Sequence, residues 1–230
     1  MRSWFAALGL ITLAVVLPGP WGGGGPALDP PSKPVPGLPG DPVRGAGLFR
    51  SLDCNRCHTE PRTGRGANIP ASLREAGSRS PAEWTAEYLL DPYPLRYLSE
   101  GVRPDLRMPR LVRNKRDAVD LASFLATRRN DALVPAVPGS KMWIRDDAAA
   151  DEGAQLFEQY QCRGCHELDG SGNLVGPALD DVGRRRRPDY IHALLLNPDA
   201  LIPGTAMENK DLWEEEARAL TAFLMRQRRD

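Results

Sequence analysis

Cysteine and histidine are scarce in this chain, with four of the first and three of the second among 230 residues. So few thiols exclude a disulfide-rich scaffold, in which several bridges replace a missing core. Aromatic side chains are sparse too, at 7%, against 26% charged residues. A unit of about 90 residues made from such material has little bulk with which to fill an interior. A large apolar cofactor would supply it. Net charge is also lacking, since 30 Lys/Arg balance 30 Asp/Glu. That disfavours a general nucleic-acid binder, and no nucleic-acid partner is expected. The balance hides an asymmetry, because residues 41–140 carry 16 basic and 12 acidic side chains whereas residues 141–230 carry 12 and 17. Two docking faces or two ordinary solvated surfaces would both give this pattern. Alternating apolar and polar runs of strand length are missing as well. The fold class expected is all-α.

One apolar run is present, Trp4 to Leu17, behind the single Arg2. It suits the apolar part of an export signal, about 7 to 15 residues, and is shorter than the roughly 20 residues of a spanning helix unless Pro18 to Trp21 are added. No A-x-A cleavage site or lipid-accepting cysteine follows it. The expectation is an N-terminal hydrophobic helix at 1–21 anchoring the chain to the cytoplasmic membrane, the rest lying on the periplasmic side. Export followed by cleavage is the alternative. Residues 22–40, built of Gly and Pro, read as an extended tether.

The remainder repeats itself. Gly45-Ala46-Gly47-Leu48-Phe49 leads into CNRCH at 54–58, and Gly153-Ala154-Gln155-Leu156-Phe157 leads into CRGCH at 162–166. Further on, Asp91-Pro92 answers Asn197-Pro198, Met108 answers Met207, and Leu121 to Leu125 answers Leu220 to Leu224. Two units of one design follow, at 41–133 and 148–230, with a linker at 134–147. Asp41 before Pro42, and Asp146 with Asp147, predict helix starts ahead of each cysteine pair. The i, i+3, i+4 spacing of Leu121, Phe124 and Leu125, repeated at Leu220, Phe223 and Leu224, predicts a closing amphipathic helix in each unit. Third helices are expected over Ala82–Leu90 and Asp189–Leu196.

The two five-residue stretches hold all four cysteines and two of the three histidines. Cysteines at i and i+3 share one side of a turn, and the histidine after them can turn beneath a flat ligand that both sulfurs hold. That arrangement suits covalent haem, attached through Cys54 and Cys57 and again through Cys162 and Cys165, with His58 and His166 on the two irons. Zinc, a thioredoxin-like redox pair and structural disulfides compete with this reading. Zinc pairs sit closer together, the redox pair needs βαβ surroundings, and none of the three accounts for the histidine twice. For the opposite face of each iron the candidates are Met108 and Met207, the two methionines that stand in register in the repeat. His192 has no counterpart in the first unit and reads as an ordinary helix residue. The run Arg184 to Arg187 reads as a solvated turn, with contact to haem propionates or an acidic partner as a minor alternative.

Each unit resembles a class I cytochrome c domain, and the pair resembles a dihaem class I cytochrome c. The likeness covers roughly Asp41 to Asp230. It implies two tandem cytochrome c-like domains of a few helices around covalent haem c, and a meeting of Gly45 and Phe49 with Phe124, and of Gly153 and Phe157 with Phe223. It also implies that a proline carbonyl holds each ligand histidine, Pro177 in GPAL and Pro70 in IPAS. The long segment from Asp91 to Met108 departs from the family pattern. Iron closed by histidine and methionine moves electrons and does not bind substrate, and methionine raises its potential. The expected role is electron transfer outside a bacterial cytoplasm, from a quinol-oxidising complex or dehydrogenase to a terminal oxidase or reductase, without catalysis of its own. A permanent subunit of a larger membrane oxidoreductase, such as a nitrate reductase or oxidase complex, is the alternative. A dihaem peroxidase or thiosulfate-oxidising cytochrome fits less well.

Overall fold

The computed structural model describes residues 39–58, 72–95 and 108–229. The apolar run at 1–21, most of the tether and Pro70 lie outside the described residues. Among those described, no helix is long and apolar enough to cross a membrane.

In the first unit α1 (Pro42–Ser51) begins where Asp41 accepts the N–H groups of Val43 and Arg44, with Pro42 preset for the first turn. A one-turn α2 (Ala76–Arg79) leads to α3 (Ala82–Leu90), and α4 (Lys115–Ala126) closes the unit behind an Asn114 cap. The second unit follows the same plan. Helix α6 (Asp147–Gln159) is capped by Asp146, α7 (Val182–Arg185) leads to α8 (Pro188–Leu196), and α10 (Glu214–Met225) closes it. Two short helices have no counterpart among the described residues of the first unit, α5 (Ser140–Trp143) before it and α9 (Pro198–Leu201) within it.

The first and last helices of each unit cross at a glycine. A Cβ on Gly45 would stand 2.0 Å from the Asp120 carbonyl oxygen, and one on Gly153 would stand 2.0 Å from that of Ala219. No side chain fits such an approach. One turn on, Phe49 meets Phe124 at 5.3 Å between ring centroids and Phe157 meets Phe223 at the same separation. Phe49, Phe124 and Phe157 are wholly buried, which at about 1.5 to 3 kcal/mol for each large apolar side chain makes the crossing a main source of stability. Further apolar packing comes from Leu89, Leu121 and Leu125 in one unit and Ile191, Leu220 and Leu224 in the other.

The helical expectation holds for the described residues with one addition. Strands β1 (Glu167–Leu168) and β2 (Ser171–Gly172) form a minimal antiparallel hairpin after the second cysteine pair, turned by Asp169 and Gly170 at positive φ. Two residues per strand are too few to leave an alternating pattern.

The four-arginine run differs from its reading as a solvated turn. Arg184 pairs with Glu87, and Arg186 donates to the Ser80 hydroxyl at 3.0 Å and lies 5.7 Å from the Trp84 ring centroid. The Arg187 N–H donates to the Arg79 carbonyl at 3.0 Å. Arg185 turns inward, buried, with Nη2 donating to the Ala178 carbonyl. The run therefore clasps the second unit to α2 and α3 of the first. The connecting segment joins in, since Val134 is 1% exposed and the Val137 N–H donates to Asp189.

Candidate functional site

Both cysteine pairs sit on the same backbone device. Asp53 and Gln161 adopt left-handed φ values of 53° and 55°, and each launches a 3₁₀ turn, Cys54–Arg56 and Cys162–Gly164. The left-handed residue reverses the chain leaving the first helix of its unit. The turn is closed by His58 N–H donating to the Cys54 carbonyl at 3.0 Å and by His166 N–H donating to that of Cys162 at 3.0 Å. In each pair the first cysteine is half-buried, the second is exposed, and all four thiols are free. Burial pushes the Cys54 thiol up to about 11 and raises Cys162 as well, so both are neutral thiols at pH 7.

The histidine of the second unit is held in a built cradle. His166 Nδ1 lies 2.8 Å from the Pro177 carbonyl oxygen, so Nδ1 carries the proton and Nε2 presents its lone pair. Burial lowers the His166 pKa, with the Pro177 bond opposing it, and the ring is neutral, the form that ligates a metal. A Cβ on Gly176 would stand 2.4 Å from His166 Cε1, so glycine is what lets the GPA turn press against the imidazole. The Gly176 N–H in turn donates to the Cys165 carbonyl at 2.7 Å, tying cradle to cysteine turn.

Arg163, inside the CRGCH stretch, is the residue that sequence reasoning missed. Its guanidinium donates to the Leu168 and Ser171 carbonyls at 2.7 and 3.1 Å and pairs with Glu158 at 2.7 Å. It thereby pins the hairpin onto the cysteine turn while lying 5.6 Å from the Phe157 ring centroid. An arginine between two cysteines looks like a surface residue, and only the hairpin carbonyls reveal its task.

The methionines are placed less completely. Met108 and Cys54 both pack against the apolar cluster of the first unit, as do Leu48, Leu52 and Leu90. Met207 is partly buried, with its N–H bonded to Thr205 Oγ1 at 3.2 Å. Just beyond it, Leu212 belongs to the buried cluster against which Cys162 packs. His58 is half-buried at the end of its turn, and Pro70, its expected carbonyl partner, lies outside the described residues.

His192 is buried, its Nε2 3.3 Å from Glu214 Oε1 without hydrogen-bond geometry and its ring 6.1 Å from that of Trp143. No third donor joins these groups in a metal cluster. Among the described residues no three His, Cys, Asp or Glu side chains converge as a metal site, which leaves no zinc centre there. Free thiols likewise leave no disulfide. Paired thiols, a neutral imidazole with one free nitrogen and a glycine that clears its face fit covalent haem.

Comparison with known proteins gives the same reading for the second unit. Residues 148–224 match the family described as cytochrome C oxidase, cbb3-type, subunit III. Over 87 residues the chain is 32% identical to cytochrome c oxidase subunit 2 of Alkalihalophilus pseudofirmus, a match covering 34% of this chain and 25% of that protein. The chain thus spans about a quarter of the length of this relative. Residues 148–224 form a cytochrome c domain similar to subunit III of cbb3-type oxidases, a kind of domain that carries covalently bound haem c and serves electron transfer.

Proposed function

We propose that the chain is a dihaem c-type cytochrome, with one haem on Cys54, Cys57, His58 and Met108 and another on Cys162, Cys165, His166 and Met207. The observation that carries the second haem count is the repetition of the helix crossing and the cysteine turn in the first unit. The glycine crossing, the phenylalanine pair, the left-handed residue and the 3₁₀ cysteine turn recur there with matching dimensions. Haem, when bound, supplies a one-electron couple at iron. The protein's residues hold and close it. Cys54, Cys57, Cys162 and Cys165 would hold the ring covalently, Pro177 fixes the tautomer and orientation of His166, and Met108 and Met207 would serve as further iron ligands that exclude substrates. The units are domains in this reading, 41–133 and 148–230, and neither is an enzyme in itself.

The protein works on the periplasmic side of a bacterial membrane, held there by its N-terminal segment. It passes electrons from a quinol-oxidising complex or dehydrogenase to a terminal oxidase or reductase. A second arrangement is favoured by a specific observation, that the matching family and the relative from Alkalihalophilus pseudofirmus are both described as oxidase subunits. In it the chain is a permanent subunit of an oxidase complex, and co-purification in detergent at fixed stoichiometry would distinguish it from a mobile carrier. Intact mass of the protein made in a haem-attaching host tests the count, with two covalent haem additions expected. Replacing Met207 and Met108 by Ala, one at a time, should each abolish half of the low-spin ferric signal. A single haem, or no spectral change with either replacement, would remove the reading.

A further inference from the structure

Cations crowd the exposed stretch that follows Met108. Arg110, Arg113, Lys115 and Arg116 follow Met108 and are all exposed, and none forms an ion pair with a described residue. The acid in their midst, Asp117, is already engaged by Arg44 and by Asn114. Lys115 and Arg116 occupy the first turn of α4, the positive end of the helix dipole, where cations cost stability. Over the corresponding stretch after Met207 the second unit has Glu208, Asp211, Glu214, Glu215 and Glu216 with the single cation Lys210, which Glu208 engages at 2.7 Å. Glu214 and Glu215 stand where the first unit has Lys115 and Arg116, and Asn209 and Leu212 where it has Arg110 and Arg113. The glutamates in the first turn of α10 are what the dipole favours. Helix stability thus accounts for Glu214, Glu215 and Glu216 and runs against Lys115 and Arg116. Leu111 stands 41% exposed among the four cations, giving an apolar spot inside a charged rim, the anatomy of a transient docking patch.

We infer that this face of the first unit docks an acidic surface of a redox partner, and that the second unit, net anionic over the corresponding stretch, repels the same partner. The inference rests on the reading of the first unit as a haem domain. The face begins two residues after Met108, the iron ligand of that reading, which packs against the same apolar cluster as Cys54. An acidic partner then exchanges electrons through the first haem in preference to the second, and the opposite polarity of the two units becomes a means of ordering transfer. Steering by such a patch raises encounter rates by about 10- to 1,000-fold at low salt and fades as salt screens it.

Ferrocyanide serves as the anionic probe. It gives one electron to a ferric haem and becomes ferricyanide, and stopped-flow absorbance follows the reduction of the full-length oxidised protein. Arg110→Glu with Arg113→Glu alters the loop without entering a helix, and should slow this reduction about tenfold at low salt while matching the native rate near 0.5 M salt. Lys141→Glu with Arg145→Glu, exposed on the connecting segment, makes the same change in net charge and should alter the rate less than twofold. Hexaammineruthenium(II), a cationic one-electron donor that becomes hexaammineruthenium(III), should be slowed by neither pair. Equal slowing of ferrocyanide by the two pairs would overturn the docking face alone. An intact mass showing haem on the second unit only would overturn both the docking face and the two-haem reading.

Discussion

The two units cross their first and last helices at the same distance and fasten them with different chemistry. In the first, Asp120 is 5% exposed, pairs with Arg44 and accepts the Asp41 N–H at 2.8 Å. In the second, the matching position is Ala219, and the Tyr160 hydroxyl donates to Glu216 at 2.8 Å while Arg226 pairs with Asp147 at 2.6 Å. What is shared is the part with no substitute, a glycine where a carbonyl needs the room and two phenylalanines one turn on. Polar fasteners tolerate exchange because a partly exposed ion pair contributes roughly 0 to 1 kcal/mol and can be remade elsewhere on the same surface.

The comparison breaks first at the glycines. Gly45→Ala and Gly153→Ala each place a Cβ 2.0 Å from a backbone oxygen that belongs to a packed helix and cannot withdraw. Each should cost about 3 kcal/mol, since overpacking of a close-packed core costs roughly 1 to 3 kcal/mol and occasionally more. Thermal melts followed by circular dichroism should show one destabilised transition in either variant. Markedly unequal losses would mean that the crossings are not equivalent. A smaller effect is expected from Asp120→Asn, which keeps an acceptor for the Asp41 N–H and removes the charge facing Arg44. A loss of about 1 to 2 kcal/mol is expected, below that of a fully buried pair because Arg44 is 36% exposed and retains Asp117. That loss should be confined to the first unit, and a shift of both transitions would show that the units melt as one body.

Sequence legibility follows how local each cause is. The cysteine turns, the caps at Asp41 and Asp146 and the closing helices were readable because each depends on residues a few places apart. Helix α3 runs from Ala82 to Leu90 as its pattern predicts, and α8 starts one residue early, at Pro188. The arginine clasp was not readable, because Ser80, Trp84 and Glu87, which engage it, lie about a hundred positions away and carry no mark of the pairing. Arg163 was hidden for a related reason, its acceptors being backbone carbonyls of a hairpin too short to predict. The carbonyl partner of His166 came from family likeness, and the structure supplies what spacing could not, the contact of the glycine before it with the imidazole.

The least of the expected differences is one of pH. His192 is buried in α8 where the aligned position of the first unit is Ala86. Burial lowers its pKa, Arg218 pushes in the same direction, and Glu214 and Asp189 oppose them. A base whose folded pKa lies below its unfolded value near 6.5 binds its proton more readily in the unfolded chain. Stability from this source is therefore fully present above about pH 6.5 and is lost as pH falls toward the depressed folded value. The second unit should lose stability between neutral and mildly acid pH while the first, with alanine at that place, has no such contribution. Unfolding by urea at a series of pH values, comparing the native chain with His192→Gln, would isolate it. The native slope should flatten in the variant over that window, and an unchanged slope would assign the acid sensitivity to the other shifted groups, His166, lowered by burial, and carboxylates such as Asp180 and Asp117, held low by Arg229 and Arg44.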